Sequence, residues 1–436
     1  MNRLLKSSLA LVFVSASLSA FADASLKDIY KDITSIRTKA YAEAGRTGKA
    51  PDFAALDAEM KAKAEEAVKG VDVDAIAPKD AFDWAQIYSL AGEHAKVCSL
   101  AHKFLTTKPS AEETFQDETL MMASCSALGE GRMLESTLEK VKPTTTDESS
   151  ELASNTAYDY VATIEKTQGA KEAVKAIEKV SKNLLFADPA DDAQKGLAEE
   201  KARLTAQNAT LPPDADILKT LTTRYQTRND SVKFTLVESE AEILGRSGQQ
   251  HKAVDLVSDY IKTLAPDSRV IRTANMAKTR LSLPGTVAPA LTFDRQYGDF
   301  TGLASLKGKV VIVDTFAHWC GPCKASFPAM RKMYDDLKDK GLEVVGVTNY
   351  YGYFGKERGL DQATEYAKMA DFRTKFNMDW PIIFGPKSNF ESYGISGIPT
   401  TFVIDREGKV KTIHVGYDEA SFATFRAEVE KLVNEK

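Results

Sequence analysis

Cys320 and Cys323 enclose Gly321 and Pro322, and Trp319 stands immediately before them. Two thiols three residues apart reach each other across one helical turn, which suits them to two-electron dithiol–disulfide chemistry. The apolar run 309–316 directly upstream predicts a buried strand, and the amphipathic stretch 324–340 predicts a helix. At such a strand-to-helix turn, the unpaired backbone N–H groups and the helix dipole favour a thiolate on the first cysteine. Cys320 is thus expected to be the exposed nucleophile and Cys323 the shielded thiol behind it.

Half of a zinc site also has this spacing, but zinc needs a second set of soft ligands. The remaining cysteines, Cys98 and Cys125, stand alone and far away in sequence, and His318 is the only nearby histidine. The reading therefore calls for no metal and no cofactor. Asp314 is the one acidic residue of the run 309–324 and falls in a strand that otherwise reads as core. Burial raises a carboxyl pKa. Such a group beneath the disulfide could take the proton of Cys323; a structural aspartate bonded to backbone is the alternative. His318 reads as a solvated neighbour with little effect on the thiols.

A second motif, Gly397-Ile398-Pro399-Thr400, leads into predicted strands at 401–404 and 410–415. The Ile398–Pro399 bond is a candidate for the uncommon cis isomer. Placed beside the sulfurs, it would offer the Ile398 backbone to an extended peptide and keep metal-binding side chains away. Trp319, Gly397 and Ile398 are the candidate substrate contacts.

Residues 286–436 resemble the thioredoxin superfamily, and within it the TlpA-like thiol–disulfide oxidoreductases of bacterial envelopes. The likeness rests on 287–293, on 306–312 running without gaps into the cysteine motif, and on 397–400. It implies an α/β thioredoxin-like domain with Cys320 as nucleophile, Cys323 as resolving thiol, Pro399 as cis-proline and Pro328 as the proline inside the active-site helix. It also matches Asp314 to the buried acid of thioredoxins. Peroxiredoxins share the fold but place a hydroxyl residue three positions before the cysteine. Here that position is Ala317, which argues against peroxidase chemistry.

Residues 1–22 read as a secretory signal: Arg3 and Lys6, an apolar centre at 9–14, and Ala20-Phe21-Ala22 for cleavage after Ala22. The segment is too short and polar for a comfortable span, so a periplasmic protein without stable membrane insertion is expected. The formal charge of −5, without basic clusters, disfavours nucleic acid as a partner. Residues 23–285 carry Ala, Leu, Lys and Glu at helical spacing. They predict an all-α region of helical hairpins, with Pro109 and Pro143 at a separation like that of tetratricopeptide repeats. Cys98 and Cys125 are expected on neighbouring helices there. A structural disulfide between them would stabilise the fold by roughly 3 kcal/mol. The aromatic segment 349–355 could form a rim near the dithiol or pack on the helical region.

The function expected is thiol–disulfide exchange on exported proteins, most favourably as a reductase, recharged by a thiol-reducing electron donor in the membrane. The rival reading is a non-enzymatic envelope adaptor whose helical region is the working part and whose thioredoxin-like domain is a scaffold.

Overall fold

The computed structural model describes residues 25–47, 51–207 and 210–435. The expected signal, residues 1–22, lies outside them. Among the described residues no helix is long and apolar enough to cross a membrane.

An all-helical region is followed by an α/β thioredoxin-like domain. The helices are α1 (Leu26–Thr47), α2 (Phe53–Val68), α3 (Ala81–Leu90), α4 (His94–Leu105) and α5 (Ala111–Leu128). They continue as α6 (Gly131–Leu138), α7 (Thr146–Asn155), α8 (Val161–Gln168), α9 (Ala170–Asn183), α10 (Pro189–Ala206) and α11 (Asp214–Arg246). Then come α12 (Gln250–Thr263) and α13 (Val270–Ser282). Their boundaries follow local chemistry. Ser110 and Glu113 form a reciprocal capping box at the start of α5, and Thr145 and Glu148 do the same for α7. Ile33, Ala64, Ala85, Tyr88, Val97 and Leu100 fill a core shared by α1 to α4.

Cys98 on α4 and Cys125 on α5 do lie side by side, their sulfurs 3.8 Å apart. They are nevertheless two free thiols, so the expected bridge is absent from this structure. α4 and α5 pack against each other with the two sulfurs at van der Waals rather than bonding distance.

The sheet carries β1 (Arg295–Tyr297), β2 (Val310–Thr315), β3 (Leu342–Thr348), β6 (Ile382–Phe384), β7 (Thr400–Ile404) and β8 (Val410–Val415) in the order β1-β6-β3-β2-β7-β8. A separate hairpin joins β4 (Tyr353–Phe354) to β5 (Glu357–Arg358). β2 is parallel to β3 and antiparallel to β7, so it is central, and all six of its residues are buried. Its alternation divides the core. Val310, Ile312 and Phe316 face one cluster, with α14 (Gly321–Leu337) and α17 (Glu419–Asn434); Val311 and Val313 face the other. Burying each such aliphatic side chain contributes about 1.5–3 kcal/mol. The domain is completed by α15 (Gln362–Lys375) and α16 (Lys387–Ser392).

The change from helix to sheet falls between Ser282 and Arg295. Compactness divides the chain elsewhere, at Glu240/Ala241 inside α11. The end of α11, with α12 and α13, is therefore one unit with the sheet. Two contacts explain this. Arg280 of α13 is buried, pairs with Glu242 at 2.9 Å, and donates from Nη1 to the Gly394 carbonyl at 3.3 Å. Gly394 has φ +64°, and a Cβ there would overlap the Met276 carbonyl oxygen and the Arg280 amide nitrogen. Only glycine permits that approach. Gly394→Ala should thus lower stability by about 3 kcal/mol, from backbone strain plus overpacking, read as a lower urea midpoint.

Candidate active site

β2 delivers the chain from the sheet centre into residues 316–320, and α14 begins at Gly321 with Pro322 in its first turn. Proline suits that position because its missing N–H would have no helical partner. Cys320 is the N-cap, and its sulfur lies 3.1 Å from the Cys323 amide nitrogen. The two cysteines are joined as a disulfide. Cys320 retains only 3% of its surface and Cys323 none. The ordering matches expectation, but the nucleophile is less open than the sequence suggested. Access is confined to one small edge, whose neighbours Trp319, Gly321, Pro322 and Gly397 are exposed. Pro328 lies inside α14, where the resemblance places it.

The Ile398–Pro399 bond is cis. The Ile398 carbonyl oxygen lies 3.7 Å from the Cys320 sulfur. Nothing stands within 4 Å of where a Gly397 side chain would be, so this side of the disulfide is open to an incoming chain. The Thr315 hydroxyl ties the end of β2 to the end of β7, donating to the Thr400 carbonyl at 2.6 Å and accepting from the Thr400 amide at 3.2 Å. That pairing holds the proline loop beside the sulfurs.

Asp314 is 1% exposed. By strand alternation it points to the same side of β2 as Ile312 and Phe316, the side whose cluster contains both cysteines. Burial penalises its charge and raises its pKa to about 6; the Thr401 hydroxyl, donating to Oδ1 at 3.2 Å, partly offsets this. Oδ2 has no hydrogen-bond partner among the described residues. Such a carboxyl changes protonation near neutrality, as a proton acceptor must.

His318 departs from expectation. It is not solvated but 6% exposed, and it stacks on Phe354 at 4.5 Å with Tyr351 and Tyr353 edge-on. Two residues before Cys320, it cannot reach water because the aromatic segment folds over it. Burial lowers its pKa against the opposing backbone hydrogen bond to Tyr353; nearby Lys324 and Arg358 act in the same direction as burial. A neutral imidazole supplies no positive charge to the thiolate. The aromatic segment thus forms a wall beside the dithiol, with Tyr351 edge-on to Trp319 at 5.5 Å.

Glu365 escaped the sequence reading. It sits in the first turn of α15, after the N-cap Asp361, and looks like any surface glutamate of a helix. In the structure it is 1% exposed and accepts from the backbone amides of Tyr351 and Gly352 at 2.8–3.0 Å. Its carboxylate also lies 3.9 Å from His318 Nε2. Local sequence carries no sign of this, because the loop it binds is ordered only by the fold.

The Redoxin family model matches residues 283–431. The thioredoxin-like protein YneN of Bacillus subtilis is 31% identical over 132 residues, 30% of this chain and 71% of that protein. The thiol-disulfide oxidoreductase ResA of the same species is 29% identical over 133 residues, 30% of this chain and 67% of ResA. Among solved structures, the thioredoxin domain of a thiol-disulfide oxidoreductase from Bacteroides vulgatus is 30% identical; the match covers 35% of this chain and 98% of that one, with a TM-score of 0.28. On the match of the Redoxin model and the 31% identity across 71% of YneN, the chain belongs through its C-terminal domain to the thioredoxin-like redoxin family.

Proposed function

We propose that this chain is a thiol–disulfide oxidoreductase that reduces disulfides of exported proteins. The observation that carries the reading is the Cys320–Cys323 pair at a helix N-terminus, with the Ile398 carbonyl 3.7 Å from the outer sulfur and open space at Gly397. The name of ResA as a thiol-disulfide oxidoreductase supports it.

In the reduced protein, the Cys320 thiolate attacks one sulfur of a substrate disulfide. A mixed disulfide forms and one substrate thiolate departs. Asp314 accepts the proton of Cys323, whose thiolate then attacks the Cys320 sulfur. The second substrate thiolate leaves and the Cys320–Cys323 bond closes, so two electrons have passed to the substrate. The Ile398 backbone and the face of Trp319 would hold the substrate peptide meanwhile. A dithiol donor in the membrane returns the pair to its reduced state. The leader at 1–22 directs the chain to the periplasm, and the helical region serves as a docking module for substrates or partners.

Direction depends on how strongly the thiolate is stabilised. Gly321 and Pro322 add no charge between the sulfurs, Asp314 is acidic, and burial keeps His318 neutral. What remains is the helix N-terminus, which is general to the fold. The potential should therefore fall at roughly −220 to −280 mV, measured by equilibration with glutathione. A value above about −160 mV would mark an oxidant and overturn the reductive direction.

A further inference from the structure

We propose that Glu365 is a positioning residue for substrate choice. It fixes residues 349–360 as a rim beside the dithiol, and this rim favours protein disulfides over small ones. The inference rests on the exchange activity proposed above.

The rim is held from two sides. From α15, both Glu365 oxygens accept from the Tyr351 amide, and Oε2 also accepts from Gly352. A buried carboxylate is costly unless its lone pairs are filled, and charge-assisted bonds to amides fill them here. From the active-site turn, the His318 ring stacks on Phe354 at 4.5 Å and meets Tyr353 edge-on at 5.2 Å. Between these anchors the β4–β5 hairpin closes on itself, with the Leu360 amide donating to the Gly352 carbonyl at 3.0 Å. Lys368 of α15 adds an ion pair to Glu357 at 2.8 Å. The segment is thus anchored at its base, in the middle and at its far strand.

What it presents is Tyr351, edge-on to a Trp319 ring that is 46% exposed and directly precedes Cys320. A peptide pairing with the Ile398 backbone crosses this aromatic corner. A small disulfide meets only the sulfur edge. Loss of the rim should therefore fall on protein substrates.

Glu365→Gln preserves volume but turns one oxygen into an NH2 group. Both oxygens face N–H donors, so either orientation of the amide sets donor against donor. Tyr351→Ala removes the ring and leaves the Glu365 anchor in place, which guards against a folding failure in the first variant. In the full chain, kcat/KM would be measured for insulin and for hydroxyethyl disulfide. Both variants should lower the insulin-to-small-disulfide ratio about tenfold, or about 1.4 kcal/mol, through a higher KM for insulin. An unchanged ratio in both variants, or equal losses on the two substrates, overturns the role given to Glu365. A wild-type chain inactive on insulin would instead overturn the exchange reading itself.

Discussion

Cys320→Ser should lower insulin reduction by the full chain, with dithiothreitol as electron source, by about a thousandfold or more. A hydroxyl does not ionise near neutrality, so the helix N-terminus has no thiolate to stabilise. Cys323 cannot take over, since none of its surface is exposed and its sulfur sits within the first turn of α14. Cys98 and Cys125 are not placed for it either, because they lie within α4 and α5 and neither caps a helix N-terminus as Cys320 does. Cys98→Ser should accordingly leave the rate unchanged. Cys323→Ser should behave differently from Cys320→Ser: the first attack survives and substrate remains attached as a mixed disulfide. Activity in Cys320→Ser above about a tenth of wild type would show that another thiol attacks, and the proposed mechanism would fall.

Asp314→Asn should slow resolution of the mixed disulfide by about tenfold or more at neutral pH, the range of a lost general base, while sparing the first attack. Single-turnover kinetics separates the two steps. The same variant should gain stability, and the sign follows from proton binding. The folded pKa of Asp314 is about 6, above the value of about 3.9 for an unfolded chain. Between these values the folded state holds more protons, so stability declines as pH rises through the window. Above pH 6 the ionised, buried carboxylate costs roughly 3 kcal/mol. Asparagine carries no such charge. Its advantage in urea unfolding should be full at pH 8 and vanish below about pH 4. A variant more stable but slower to resolve would identify a carboxyl retained for chemistry at the expense of the fold. Unchanged resolution would leave Asp314 structural.

The redox pair, its strand and its helix were legible in sequence because each rests on local rules. The apolar run around β2, the Gly-Pro spacer and the amphipathic period of α14 all lie within thirty or so residues and agree with one another. The Ile398–Pro399 site was legible for a related reason: proline before a strand allows few backbone solutions. His318 was misread because its surroundings arrive from residues 351–354, and no property of the residues flanking it reveals that they fold over it. The Cys98/Cys125 pair was half legible. Adjacent helices brought the residues together, but a bond needs the sulfurs at about 2.05 Å, and side-chain geometry that sequence spacing does not encode leaves them 3.8 Å apart.

By itself, then, the sequence determined the chemistry and the two kinds of architecture, since thiol spacing, strand composition and helix periodicity act over short distances. The tertiary structure decided what depends on burial and on distant backbone. It made Asp314 titrate near 6, held His318 neutral, and gave Glu365 a loop to hold. It also joined α12 and α13 to the sheet through Arg280 and Gly394. The reason is common to all four. A charge or a close contact takes its energy from the groups around it in space, and those groups come together only when the whole domain has folded.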